Sequence, residues 1–257
     1  MKEYPCYSCR IKLFLKKIVL YLLLPAIFNS CMAKWRLKNA GIFDERVSVR
    51  TLSNDKKELI FMPMHHIGKQ AFYDDVKSQI DSLHKTGYIV FFELITLPHY
   101  IDSSAQDTLL RKYRKVVGSF AGDGYINKEN GSLMGRKFKF LKDMVNQPRG
   151  RFIGIDPSLD RNVDAVLDDL INAYENKYTA VALEKYDFDT NLTDAYHGKK
   201  NKNKKALDYF LVDYRNKVIS EEIMNAPESK IILVYGEGHY RGIFKYLHLQ
   251  DPGGHKN

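Results

Sequence analysis

Three groups of polar side chains follow apolar runs in this chain, and their types could bind a metal or carry protons. His65 and His66 follow the run ELIFMPM, Glu93 stands near the end of YIVFFELI, and Glu237 and His239 follow KIILVYG. Imidazoles and carboxylates are common ligands of divalent metals and common proton carriers near neutral pH. If the three runs are parallel strands, their carboxyl ends share one edge of a sheet, where open α/β sheets bind ligands.

Each of these side chains also has a purely structural interpretation. A histidine at a strand end is often a hydrogen-bonded core residue. Glu93 is more informative, because a carboxylate within an apolar strand needs a cation, a metal or a proton, although an ion pair to Arg215 would satisfy it without any chemistry. The chain has no GxSxG or HExxH motif, and GEGHYRG lacks the spacing of phosphate-binding glycine loops.

Strand-like and helix-like patterns alternate from residue 57 onward, and these elements must position the polar groups. Apolar runs predict strands over residues 58–64, 88–95, 150–156 and 230–236. Apolar residues at helical spacing predict helices over residues 69–87, 105–120, 135–147, 158–177, 206–225 and 240–249. Such alternation predicts an α/β fold with a mainly parallel central sheet flanked by helices, in a single domain after an N-terminal signal segment.

The N-terminus is typical of an export signal. The apolar run at residues 18–28 follows several basic residues and is shorter than the roughly 20 residues that span a bilayer. Ser30 precedes Cys31, as at a bacterial lipoprotein cleavage site where the cysteine is lipidated, and cleavage there would discard Cys6 and Cys9. The alternative is an uncleaved membrane anchor. Both interpretations place the domain in the cell envelope, attached to the membrane through its N-terminus.

These patterns divide the chain into four predicted parts. They are a signal or lipoprotein leader (1–30), an N-terminal extension (31–56), an α/β domain (57–249) and a flexible tail (250–257). The net charge of +9 is concentrated in the leader and in the lysine-rich run HGKKNKNKK at residues 197–205. A solvated loop explains that run, because no basic face interleaved with aromatic residues accompanies it, and no nucleic-acid partner is expected.

The segments that carry the polar groups resemble the motifs of the TraB/PrgY/GumN/Tiki superfamily, which includes ChaN-like haem-binding proteins and erythromycin-esterase-like enzymes. That family begins with a strand and a GTxH-like turn, then a helix, then a strand that ends in VxVEL. In this alignment His66 matches the motif histidine, Glu93 matches the motif glutamate, and Pro63 replaces a motif glycine.

The C-terminal half of the resemblance rests on two further motifs. The family has an RN pair in a long helix, followed by a strand and GxGHxxG. Here Arg215 and Asn216 form the pair, and GEGHYRG supplies the remaining motif residues, which are Gly236, Gly238, His239 and Gly242. The resemblance spans about residues 59–247, with specific matches at its two ends.

The resemblance implies a metal-dependent hydrolase that cleaves a peptide or another amide or ester bond. On this hypothesis His66, Glu93 and His239 bind a divalent metal, and Glu93 is either a ligand or the base that deprotonates water. Arg215 would hold Glu93 or a substrate carboxylate. Gly236 and Gly238 would belong to the binding loop.

Two other interpretations remain open from the sequence. One is a non-catalytic protein that binds haem, iron or a peptide, in which Tyr240 and the histidines would ligate haem iron. The other is a degenerate member of the family in which the polar cluster only stabilises the fold. The substrate, the metal and the oligomeric state are not predicted.

Overall fold

The computed structural model describes residue 35 and residues 37–53, 56–120, 124–127, 131–133, 136–137, 142–199 and 202–247. The chain divides into two compact units, Met1–Asp44 and Glu45–Asn257, and the strands and helices below belong to the second. The predicted leader, Cys31 and the tail at residues 250–257 lie outside the described residues. Within the described ranges, no helix combines the length and the apolar character needed to cross a membrane.

A five-stranded sheet forms the centre of the second unit. The described strands are β1 (Arg50–Ser53), β2 (Glu58–Met64), β3 (Ile67–Gly68), β4 (Ile89–Phe92), β5 (Ile126–Asn127), β6 (Ser132–Leu133), β7 (Arg136–Lys137), β8 (Val145–Asn146), β9 (Arg161–Asn162) and β10 (Lys230–Gly236). The central order is β1-β2-β10-β4-β9, in which only β1 is antiparallel to its neighbour. The mainly parallel α/β architecture predicted from the sequence is confirmed.

Helices connect and cover these strands. They are α1 (Gln70–His84), α2 (Ser103–Val117), α3 (Leu167–Lys177), α4 (Lys185–Asp189), α5 (Lys204–Asp208), α6 (Tyr214–Asn225) and α7 (Tyr240–Leu247). Two short 3₁₀ helices span Gly150–Ile153 and Glu237–His239, and a π-helical segment, Tyr209–Asp213, joins α5 to α6. Asp102 caps α2 by accepting a hydrogen bond from the backbone N–H of Ala105 at 2.8 Å.

Two apolar layers cover the two faces of the sheet. Alternate side chains of a strand point to opposite faces, so Met62 and Val234 pack with α1, whereas Phe61 and Leu233 pack with α6 and α7. Because β2 and β10 are buried on both faces, they appear in the sequence as continuous apolar runs. A third cluster packs α2 against α3 and the π-helical segment.

Two predicted elements are wrong, and a third is shorter than expected. Residues 135–147 were expected to be helical but contain β7 and β8. Residues 150–156 were expected to be a strand but begin with a 3₁₀ helix, which ends at Gly154 in a left-handed conformation with φ of 92°. The predicted helix over residues 158–177 begins only at Leu167, since β9 occupies its first part. The edge strand β1, which precedes residue 57, was not predicted.

Candidate functional site

The carboxyl ends of the parallel strands bring a group of polar residues to one edge of the sheet. Glu93 directly follows β4, Asp164 follows β9 by two residues, and His239 follows β10 by three. His66 stands two residues beyond β2. The strands are parallel and neighbouring, so side chains that are distant in sequence come together here.

Glu93 is held by donors on both of its carboxylate oxygens. Its Oε1 accepts a hydrogen bond from Nη2 of Arg215 at 2.8 Å, and its Oε2 accepts one from the backbone N–H of Gly236 at 2.8 Å. The backbone of Glu93 extends the pairing of β4, because its N–H donates to the carbonyl of Val234 at 3.1 Å. The carboxylate is therefore fixed in position and orientation.

Arg215 is buried between two carboxylates. Its Nε and Nη2 donate to the two oxygens of Asp164 at 2.9 and 2.5 Å, and Nη2 also donates to Glu93. The third donor, Nη1, bonds the carbonyl of Leu211 at 2.9 Å, inside the π-helical segment that precedes α6. A planar guanidinium can satisfy several acceptors in this way because its donors have a fixed fork geometry.

Asp164 was not anticipated as a member of the site. It lies beyond a two-residue strand inside a segment whose pattern predicted a helix. Its side chain is fully buried, and a buried carboxylate requires a partner. The available signal was the polar pair Asn162 and Asp164 flanking an apolar Val163, which is compatible with the end of a short strand.

His239 is buried and has an acceptor at each ring nitrogen. Nδ1 lies 2.7 Å from Oδ1 of Asn216, and Nε2 lies 3.6 Å from Oε1 of Glu93. The amide oxygen of Asn216 can only accept, so Nδ1 carries a proton and donates it. Nε2 is the ring nitrogen that faces the Glu93 carboxylate.

The buried cluster carries a net negative charge. Glu93 and Asp164 bring two negative charges to the cluster, and Arg215 brings one positive charge. Burial alone would raise the pKa of Glu93, but the contact with His239 and the charge of Arg215 outweigh it and hold that pKa well below its usual range. The cluster therefore keeps an excess negative charge that one further cation would neutralise.

A cavity of about 220 Å³ opens beside Glu93. His66 and Glu93 both line it, together with Gln147 and Arg149, and the remaining wall is largely apolar. His66 is exposed, and its ring stacks on Tyr125 with ring centroids 4.9 Å apart. Glu93 is thus the member of the buried cluster that lines this cavity.

The other candidate residues have different surroundings. The carbonyl of His65 accepts a hydrogen bond from the hydroxyl of Tyr73 at 2.8 Å, and its ring packs against Phe72. Glu237 pairs with Arg50 near the protein surface. Tyr240 packs against Phe61 on the sheet face covered by α6 and α7, whereas the cavity is lined by residues of the opposite face.

The predicted glycines have unequal roles. Gly236 lies against the Glu93 carboxylate, since a Cβ there would stand 3.4 Å from Oε2. A Cβ at Gly238 would meet no atom within 4 Å. A side chain at Gly242, by contrast, would collide with Asn216. The two ends of GEGHYRG therefore touch the site, and its central glycine is sterically free among the described residues.

Among the described residues, no three histidine, cysteine or carboxylate side chains lie close enough together to hold a metal ion. Two of the three predicted ligands, Glu93 and His239, face each other, and His66 lines the same cavity as Glu93.

Comparisons of the chain with protein-family models, with curated proteins and with solved structures gave no match. The fold and the site define an α/β protein with a buried Arg–Glu–His cluster beside a cavity at the carboxyl edge of its sheet.

Proposed function

We propose that the protein is a hydrolase that cleaves an amide or ester bond at the Glu93–His239 pair. The observation that carries this proposal is the 3.6 Å approach of His239 Nε2 to Glu93 Oε1, next to a cavity that Glu93 itself lines. A substrate carbonyl in that cavity would lie near Glu93, which His239 contacts. Residues that match the motifs of the TraB/PrgY/GumN/Tiki superfamily cluster here. Membership of that superfamily is therefore part of the proposal.

The two members of the pair take different roles. Both oxygens of Glu93 already accept hydrogen bonds, one from Arg215 and one from the backbone of Gly236, so neither is free to take a proton from water. Nδ1 of His239 faces Asn216, so Nε2 is the ring nitrogen that faces Glu93 and can exchange a proton there. We therefore assign His239 as the group that takes a proton from the attacking water, and Glu93 as the group that orients that water and stabilises the resulting positive charge.

A divalent metal ion is the second component of the proposal. Glu93 and His239 would hold it, and His66 is the third ligand that the family resemblance implies; its exposed side chain would have to move towards the pair to complete the set. A bound metal would lower the pKa of its water to about 7 and so supply hydroxide at neutral pH. The negative excess of the cluster favours a cation at this place, whether it is a metal ion or a proton.

The proposed location is the cell envelope, with the chain lipidated at Cys31. This part rests on the sequence of the leader alone. Replacing Cys31 with Ala should release the protein from the membrane fraction or leave its precursor uncleaved. Unchanged membrane association and processing of that variant would refute lipidation.

The catalytic proposal is tested on the purified full-length protein by elemental analysis and by hydrolysis of chromogenic esters and amino-acid anilides. Glu93→Gln and His239→Asn should reduce hydrolysis by roughly 10²–10⁴-fold, the usual contribution of acid–base groups. The exposed histidine His99 provides a matched control, and His99→Ala should retain full activity.

The outcomes separate the alternatives. Metal present in the wild type and lost from folded His239→Asn supports the metal-dependent form. Hydrolysis without bound metal, abolished in His239→Asn, supports the acid–base form. Full activity in both site variants would overturn the proposal, and ligand binding with no hydrolysis of any probe would favour the non-catalytic binding protein.

A further inference from the structure

The cavity beside Glu93 is shaped for an apolar group. Met64, Phe92, Ile153, Ile155 and Val234 contribute to its wall, and its volume is about 220 Å³. An apolar protein cavity of about 150 Å³ accommodates benzene. The cavity is thus large enough for one side chain of the size of leucine or phenylalanine, and filling it would remove apolar surface from water.

A cationic side chain lies at the same cavity. Arg149, which immediately precedes the 3₁₀ helix Gly150–Ile153, is exposed and is one of the lining residues. No carboxylate in the described part of the chain forms an ion pair with Arg149, whereas Arg161 and Arg215 are both paired. Its guanidinium is available to a ligand, and its fork geometry suits a carboxylate.

The charge of the inner wall restricts which anions would be accepted. Glu93 is ionised and lines the cavity, and Asp164 adds a second negative charge behind it. A multiply charged ligand would be repelled there. A ligand with a single carboxylate bound to Arg149 and an apolar group inside the cavity would match both the cation and the apolar wall.

We propose that the site selects substrates whose scissile amide joins an acyl group to an apolar amino acid with a free carboxylate, and that Arg149 determines this selectivity. This inference rests on the proposed hydrolase function. In the reaction, the oxygen of water bonds to the carbonyl carbon and the C–N bond breaks. The amino acid then leaves as an amine after gaining a proton, while the acyl group leaves as a carboxylic acid.

The test compares N-acetyl-L-phenylalanine with N-acetyl-L-phenylalaninamide on the full-length protein. Binding is measured by calorimetry, and hydrolysis of the acetyl amide bond is measured separately. The acid should bind about fivefold more tightly than the amide, as an accessible ion pair contributes at most about 1 kcal/mol. N-acetylglycine should bind more weakly than both because it leaves the cavity empty.

Two variants locate the selectivity. Arg149→Gln should abolish the preference for the acid, and Arg149→Glu should reverse it in favour of the amide. Arg151 is the matched control, because it is exposed, does not line the cavity and packs over Phe152 at 4.7 Å. Arg151→Gln should keep the wild-type preference.

Binding and hydrolysis distinguish the two proposals. Hydrolysis of other amides or esters with no preference for the free acid would overturn the carboxylate inference and leave the hydrolase intact. Selective binding that depends on Arg149, without hydrolysis, would show that Arg149 selects a free carboxylate and would overturn the hydrolase. Failure of all three compounds to bind or react would overturn the inference.

Discussion

The side-chain amide of Asn216 occupies the space that a Cβ at Gly242 would need. Asn216 lies on α6 and Gly242 on α7, so the absence of a side chain at residue 242 allows the two helices to approach. The same Asn216 accepts the proton of His239 Nδ1 at 2.7 Å. The last glycine of GEGHYRG is thereby linked to the tautomer of the central histidine.

Replacing Gly242 with Ala should therefore displace Asn216 and disturb His239. Crowding of this kind in a packed interior costs about 1–3 kcal/mol, measurable as a lower urea midpoint. The ¹⁵N shifts of His239 should also show loss of the single tautomer. Gly238→Ala is the control, since a Cβ there meets no atom within 4 Å, and it should change stability by no more than about 0.5 kcal/mol. Equal effects of the two substitutions would contradict this account.

Arg215→Met should be strongly destabilising. It leaves the carboxylates of Glu93 and Asp164 buried without their shared cation, and breaking a buried ion pair from one side costs about 3–5 kcal/mol. Arg161→Met is the comparison, because Arg161 is about two-fifths exposed and its pairs should contribute less than about 1 kcal/mol. Urea unfolding at pH 7 measures both values. Similar decreases in the free energy of unfolding for the two variants would show that the buried cluster contributes no more to stability than the exposed pairs.

The two adjacent histidines should respond differently to substitution. His66→Ala should lower metal binding and hydrolysis by roughly 10–100-fold, the usual scale for disturbing a metal site. It should cost only about 1 kcal/mol or less of stability, because its stacking on Tyr125 is an exposed contact. His65→Ala should leave activity intact, since the ring of His65 packs on Phe72 away from the proposed chemistry. Loss of activity in His65→Ala alone would reverse the assignment.

Acid should weaken the fold partly through Asp187. Burial alone would raise the pKa of Asp187, but the backbone N–H of Glu184, the ammonium of Lys115 and the hydroxyl of Tyr196 outweigh it and lower that pKa below its ordinary value of 3.8. A carboxylate with a lower pKa in the folded state stabilises the fold above its ordinary pKa, and this contribution is lost as the pH falls through the folded value.

Asp187→Asn should consequently be less stable than the wild type at pH 7, and the difference should shrink below about pH 4. Chemical unfolding at a series of pH values measures this dependence. Asp189→Asn, which alters an exposed pair with Lys185, should show no comparable trend. A constant difference between wild type and Asp187→Asn at all pH values would contradict the prediction.

Local pattern was sufficient wherever an element is long and its burial follows its own periodicity. β2 and β10 occupy the predicted residues because strands buried on both faces need continuous apolar side chains. The helix after His66 was predicted within three residues at each end, since Phe72, Val76 and Ile80 repeat at helical spacing. The short strands β7, β8 and β9 were not predicted, because two residues are too few to show a strand-like alternation of apolar and polar side chains.

The sequence by itself determined the mainly parallel α/β fold and the presence of polar residues at the ends of its long strands, because apolar periodicity fixes which segments are buried. Only the tertiary structure decided which of those residues meet. Asp164 joined the cluster and Glu237 did not, because the order β1-β2-β10-β4-β9 and the short strand β9 are set by packing between distant segments. Packing also decided that Arg215 pairs with two carboxylates. A buried charge must be paired, and the tertiary structure determines which opposite charges lie close enough.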